Sequence, residues 1–418
     1  MMRYNALKIL KEGLTGNKNW KPVWREPEPK SEYDVIIIGG GGHGLATAYY
    51  LAKNHGITNV AVLEKGYIGS GNVGRNTTIV RANYMIPGNS EFYSHSLKLW
   101  ETMESELNYN AMHSQRGVIN LFHSDGQRDA AARRGNMMIS QGDDAILLDR
   151  DGVRKELPYL DFDNHRFPVY GGLFHKRGGN ARHDAVAWGY ARAADQLGVD
   201  LIQKCAVTGI DIVNGKVTGV QTSLGPIRGK KVAIVVAGRS SEVAAMAGLE
   251  VPIESHILQA FVSEGLKPAI NHVVTFGMGH FYISQSDKGG LVFGGDLDFH
   301  ASYSQRGNLP MMEHVMEAGM SLMPAIGKAK VLRSWGGIMD MTPDGSFIID
   351  KTEVENLYMD CGWCYGGFKA IPASGWCMAH LMAEDKPHEV AKKHTFDRFR
   401  TGVGLMDEES KGSQHNLH

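Results

Sequence analysis

Residues 34–44 read Asp-Val-Ile-Ile-Ile-Gly39-Gly40-Gly41-Gly42-His43-Gly44, an apolar run that breaks directly into G-x-G-x-x-G at Gly39, Gly41 and Gly44. Few patterns restrict a fold as much. The run predicts a buried strand over 34–38, and the Ala/Leu/Tyr face that follows predicts a helix over 44–53. The first glycine allows a tight turn, the second lets backbone approach a pyrophosphate, and the third lets helix and strand pack closely. Gly42 and His43 lie where the helix begins, and its free N–H groups and positive dipole end suit phosphates. A second strand over 60–64 ends at Glu64, 20 residues after Gly44, where an acid can accept hydrogen bonds from an adenosine ribose. The pattern is that of a dinucleotide-binding βαβ unit.

A chain of 418 residues is too long for one compact core and suits two associated domains. With 44 basic and 45 acidic residues the formal charge is −1, which gives no electrostatic support to nucleic-acid binding. The start Met1-Met2-Arg3-Tyr4 shows no signal peptide, and the one long apolar stretch, 35–52, holds five glycines and a histidine. It reads as strand-turn-helix and not as a membrane span. A cytoplasmic enzyme with neither nucleic acid nor membrane as partner is expected. Cys361-Gly-Trp-Cys364 has C-x-x-C spacing, but it lacks a second pair and a nearby His cluster. Two small buried residues on a strand and its exit are the preferred reading, with no metal site.

Residues 1–30 are polar and rich in Lys, Pro and Glu, and predict an arm with Trp20 and Trp24 as docking points. Helices are expected over 91–107, 185–197 and near 311–323. Strands are expected over 118–122, 199–205 and 232–236, with a hairpin through Asn214-Gly215.

A nicotinamide enzyme usually continues with regular βα units. This chain continues with Gly69-Ser-Gly-Asn72-Val-Gly74-Arg75-Asn76-Thr77-Thr78, small and hydroxylated residues able to reach a flavin's pyrophosphate and ribityl chain. Four separated segments then resemble the D-amino-acid-oxidase superfamily of FAD amine oxidases. They are the fingerprint, residues 69–81, Val232-Ala-Ile-Val-Val-Ala-Gly238, and Thr342-Pro343-Asp344 through Gly366-Gly367-Phe368-Lys369. Longer strings are similar to the beta subunits of heterotetrameric sarcosine oxidases, among them Arg75-Asn-Thr-Thr-Ile, Ser114-Gln-Arg-Gly-Val, Ala181-Arg-His183-Asp-Ala-Val-Ala-Trp and Trp335-Gly-Gly-Ile.

The resemblance implies an α/β plus α+β fold: a Rossmann-like FAD-binding domain interleaved with a substrate domain on a mixed or antiparallel β-sheet. The expected segments are 31–110, 175–255 and 331–395 for the first and 111–174 and 256–330 for the second, with a C-terminal tail over 396–418 that is polar and frayed after about 400. It also implies an enzyme subunit that oxidises sarcosine or a similar small N-methyl amino acid with noncovalent FAD. Besides the fingerprint residues, Lys65, Asn72, Arg75, Asn76, Thr77, Val207, Gly366, Gly367, Phe368 and Lys369 are expected to touch FAD.

In such enzymes FMN is bound covalently through a histidine where the subunit meets the alpha subunit, and it passes electrons to oxygen, giving hydrogen peroxide. His183 is the expected carrier, with His175 as fallback. NAD and tetrahydrofolate are expected on a partner among the alpha, gamma and delta subunits. Arg81 and Lys369 are the expected clamp on the substrate carboxylate, since a guanidinium fork and an ammonium suit that group. Arg81 could instead neutralise an FMN phosphate. Monomeric relatives tether FAD through a cysteine where Gly337 stands here, and carry an oxygen-activating lysine at the place assigned to Val292. Two other readings remain open: a dehydrogenase for dimethylglycine, proline or another secondary amino acid, and a non-catalytic flavin scaffold subunit.

Overall fold

The computed structural model describes residues 6–20, 22–163, 166–277 and 280–405. The fold joins α/β to α+β. Strand Glu32–Ile38 lies at the centre of an eight-stranded sheet, parallel to Val60–Leu63 on one side and to Ile227–Ile234 on the other. Asp200–Ile202 and Leu357–Cys361 extend it in parallel, and Ile348–Lys351 closes one edge antiparallel. A sheet covered on both faces needs strands that are apolar throughout. Val35, Ile37 and Val62 enter the core of one face, while Ile36, Ile38 and Leu63 enter that of the other.

Helix Gly42–His55 covers the first face beside Gly367–Glu384 and His183–Gln196. It stops at Gly56, which takes a left-handed φ of 68° and returns its N–H to the Leu51 carbonyl. The hairpin turns at Asn214 and Gly215, both at positive φ, which the two-residue turn demands.

The second sheet also has eight strands, running from Val331–Met341 through Glu254–Gly265, Gly290–Ala301, Phe281–Gln285, Val273–Phe276, Val118–Phe122 and Gly171–His175 to Ile146–Asp149. All its neighbours are antiparallel except Val273–Phe276 beside Val118–Phe122. Residues 331–341, grouped with the FAD-binding segments on sequence, therefore pair along Glu254–Gly265 in this sheet. The strand leaves the second sheet and leads into Ile348–Lys351 of the first, so one segment serves both.

Two terminal expectations change. The arm contains helix Ala6–Leu14. Trp24 packs on the main core, Arg25 pairs with Asp195 at 2.7 Å and Asp200 at 3.3 Å, and Trp20 Nε1 donates to Asn17 at 2.8 Å. The start of the tail is anchored and not frayed. Arg398 is buried against Asp344 at 2.8 Å, and the Leu405 N–H donates to the same carboxylate at 2.9 Å. The expected tail beyond 405 lies outside the described residues.

Candidate functional site

Gly39 turns the chain at φ 113°, and a Cβ there would collide with the Val235 carbonyl oxygen. A Cβ on Gly44 would strike the Gly39 carbonyl, so the third glycine is required by helix–strand packing. Gly41 differs. It caps helix Gly42–His55, and a Cβ built on it would meet no atom within 4 Å. Backbone N–H groups at a helix start therefore face open space, as an anion requires. Glu64 accepts from the Gly40 N–H at 3.0 Å and the Gly66 N–H at 2.7 Å, which fixes its carboxylate at the rim of that space.

The space is one cavity of about 1280 Å³ between the two sheets. Gly39, Gly41, Gly42, His43, Glu64, Lys65 and Val207 line one end. Asn72, Arg75, Asn76 and Thr77 line its middle, from a loop pinned to the second sheet. The Asn72 amide bonds both backbone groups of Ile338, and Trp335 Nε1 donates to the Arg75 carbonyl at 2.7 Å. Gly337 also lines the cavity and has no side chain through which a flavin could be tethered at that position.

Gly367, Phe368, Lys369 and Arg81 line the same cavity. Arg81 is 8% exposed and Lys369 5%, so both cations sit in a low-dielectric wall where a carboxylate gains most from them. Arg81 donates to Asn83 Oδ1 at 2.6 Å and lies 5.3 Å from the centre of the Tyr84 ring. Asn83 in turn donates to Asn120, which donates to Thr275 at 2.5 Å, linking the arginine to the second sheet. Lys369 Nζ donates to the Tyr365 carbonyl at 2.7 Å, and its own carbonyl accepts from Ser96 and Trp100.

Four residues around the expected His43 were not anticipated: Ser374, Asp360, Trp363 and Asp340. His43 places Nδ1 2.5 Å from Ser374 Oγ and Nε2 2.9 Å from the Gly367 carbonyl. Ser374 and Trp363 Nε1 each donate to Asp360 at 2.5 Å. The fingerprint helix and the C-terminal helix are thus stapled at the cavity wall. Asp340 lines it too, and burial pushes its carboxyl up to about 6.

Several expected residues stand apart. Gly44 and Gly366 do not line the cavity; a Cβ on Gly366 would collide with the Tyr93 hydroxyl, so its role is packing. The assignment of Val292 to the flavin edge is corrected: it pairs with Val262 and Ser284 in the second sheet and is no part of the cavity wall. His183 begins helix His183–Gln196 outside the cavity. Its side chain is 34% exposed, and its buried Nδ1 has no hydrogen-bond partner. Burial lowers its pKa, against the pull of Asp184. His175 has no exposed surface, and burial lowers it to about 4. All four cysteines are buried free thiols. Among the described residues no cluster could hold a metal ion, and no helix is long and apolar enough to cross a membrane.

Comparison with known proteins gives the family. Residues 34–381 match the family described as FAD dependent oxidoreductase (DAO). Sarcosine oxidase subunit beta of Rhizobium meliloti (strain 1021) is 66% identical over 417 residues, covering 100% of both chains. Its namesake from Rhodobacter capsulatus is 46% identical over 415 residues, covering 99% of this chain and 100% of the relative. The crystal structure of L-proline dehydrogenase from P. horikoshii superposes with a TM-score of 0.84 at 26% identity, covering 90% of this chain and 99% of that one. The chain belongs to the DAO family of FAD dependent oxidoreductases, and within it to the group named sarcosine oxidase subunit beta.

Proposed function

We propose that this chain is the amine-oxidising subunit of a cytoplasmic, multi-subunit sarcosine oxidase, converting sarcosine to glycine with formaldehyde or methylenetetrahydrofolate. The observation that carries the reading is the placement of two buried cations, Arg81 and Lys369, in the same cavity as an intact dinucleotide cradle. FAD fits that cradle: the face of Gly41 is open, Glu64 stands at the ribose end, and Gly367 and Phe368 close the other. When bound it supplies the two-electron acceptor.

The protein's part is positional. Arg81 and Lys369 hold the carboxylate, which orients the N-methyl carbon, and the Phe276 and Phe281 side of the wall keeps water from the reacting centre. The substrate loses a hydride equivalent from that carbon and becomes an imine, which water converts to glycine and formaldehyde. Loss of hydride is disfavoured from a cationic amine, so the rate of flavin bleaching by sarcosine should rise with pH. A flat profile between about pH 6 and 10 would count against this chemistry.

His183 fits a covalent FMN better than His175. Its imidazole is disposed to stay neutral and nucleophilic, and part of the ring is accessible, whereas His175 is sealed. FMN held there supplies a site for oxygen reduction to hydrogen peroxide. The alpha, gamma and delta partners, with NAD and tetrahydrofolate, belong to the same reading; the name subunit beta carried by the relatives supports a multi-subunit complex. A tryptic peptide containing residue 183 that carries the mass of FMN is the expected result from the whole complex.

The likeness to L-proline dehydrogenase supports one other reading, a dehydrogenase for a different secondary amino acid. Anaerobic titration with sarcosine, proline and dimethylglycine separates the two. Fastest bleaching by sarcosine is expected. Fastest bleaching by proline or dimethylglycine would favour the dehydrogenase, and no bleaching by any amine would leave only a flavin scaffold.

A further inference from the structure

Helix Asp125–Ser140 presents Gln127, Ala131 and Arg134 to the cavity, at i, i+4 and i+7 on one face. The face is fixed by packing, because Ala131 and Met138 meet Phe122 and Leu173 of the second sheet. Arg134 is 5% exposed, as buried as Lys369. A guanidinium set in a cavity wall at that depth pairs strongly with any anion that reaches it. Beside it, Gln127 Oε1 is taken by the His123 N–H at 2.7 Å, which leaves its NH2 group as a donor. The helix itself is held at its start by Ser124, which accepts from the Gln127 N–H at 3.2 Å.

Strand Val118–Phe122 connects this chamber to the carboxylate clamp. Asn120 is bonded to Asn83, the partner of Arg81. Phe122, also in the cavity wall, follows two residues later on the same side of the strand, roughly 7 Å along it. The cavity is larger than the roughly 300–1,000 Å³ of common ligand sites. Arg81, Lys369 and Arg134 are the three arginine or lysine side chains of that wall that are buried.

We infer that the end of the cavity lined by Arg134 and Gln127 is a second anion subsite, and that secondary amino acids bearing two carboxylates bind there as substrates. Arg81 and Lys369 hold the α-carboxylate, and Arg134 with the Gln127 NH2 group holds the distal one. The inference rests on the function proposed above. The chemistry is unchanged. Iminodiacetate loses a hydride equivalent from a carbon next to nitrogen to the same two-electron acceptor, and water splits the resulting imine into glycine and glyoxylate.

Binding can be read without turnover, from perturbation of the flavin absorbance of the holoenzyme. Succinate and its monoamide, succinamate, have the same size and differ by one charge. Succinate should bind about tenfold tighter, the effect of one charge-assisted contact in a buried site. Arg134→Gln should abolish that preference and leave succinamate within about twofold. An unchanged preference in Arg134→Gln, or equal binding of the two ligands to the wild type, would overturn the subsite. If Arg134→Gln does not retain FAD, Gln127→Leu carries the same comparison, with a drop in preference of about threefold expected and none overturning it. Bleaching by sarcosine is scored separately. Its failure would sink the oxidase reading, while the succinate ratio would still judge the subsite.

Discussion

Arg81→Met is expected to lower kcat/KM for sarcosine about 10²–10³-fold, and Lys369→Met about 10–10²-fold, with FAD content unchanged. The difference follows from the groups. A guanidinium offers a two-pronged contact to a carboxylate, and an ammonium offers a single point of charge. Both stand 8% or less exposed, where little water screens the pair or replaces a lost partner. The loss should fall mainly on KM if the carboxylate is held equally in ground and transition states, and on kcat if its grip aligns the N-methyl carbon. Arg81→Lys should recover part of the loss. The same variants decide between two roles for Arg81. If it neutralised an FMN phosphate, Arg81→Met would lose covalent flavin while its KM for sarcosine stayed at the wild-type value. The geometry favours the substrate, since Arg81 shares a cavity wall with the fingerprint and His183 does not.

What could be read in advance was local. The strand Glu32–Ile38, the turn at Gly39 and the helix from Gly42 are specified by neighbouring residues, through apolar periodicity and glycine stereochemistry. Arg81, Lys369 and the loop at 72–77 fell into one cavity because resemblance carried their positions. Contacts that span the chain left no such trace. Nothing in His43 announces Ser374, 331 residues away, and nothing in Ser374 announces Asp360. The stripe Gln127, Ala131, Arg134 has helical spacing, but two polar residues flanking an alanine look like a solvated face until the sheet beneath is known. Helix Ala6–Leu14 was hidden for the opposite reason. Leu7, Leu10 and Leu14 recur at helical spacing yet remain 78%, 61% and 81% exposed, so no core enforces the pattern that would have revealed it. Val292 stands two residues along its strand from Gly294, whose partners Ala260 and Tyr282 line the cavity, so it shares their face but lies past the stretch that forms the wall.

Arg398→Met is expected to destabilise the protein by about 3–5 kcal/mol, measured as the denaturant midpoint with FAD present, because it leaves Asp344 buried and unpaired. The pair is nearly sealed, with side chains 3% and 7% exposed, and it is bidentate at 2.8 and 3.1 Å. Arg398 also donates to the Ser346 carbonyl at 2.6 Å. Burial alone would raise the Asp344 carboxyl, but Arg398 and the N–H groups of Leu405 and Ser346 outweigh it and hold it below the usual carboxylate range. A carboxyl depressed in the folded state stabilises at pH values above its unfolded pKa of about 3.9, and that contribution disappears as pH falls through the lower folded value. In Arg398→Met the same carboxyl loses its counter-charge, so its pKa rises and protonation relieves the buried charge. The gap between wild type and variant should therefore be widest near neutrality and narrow as pH falls toward about 4. Replacing both partners, with Asp344→Asn added to Arg398→Met, should cost less than Arg398→Met alone, since no buried charge is then stranded. A gap independent of pH, or a double variant as unstable as the sum of the singles, would mean that the Thr342-Pro343-Asp344 segment holds residues 397–405 by packing and not by charge.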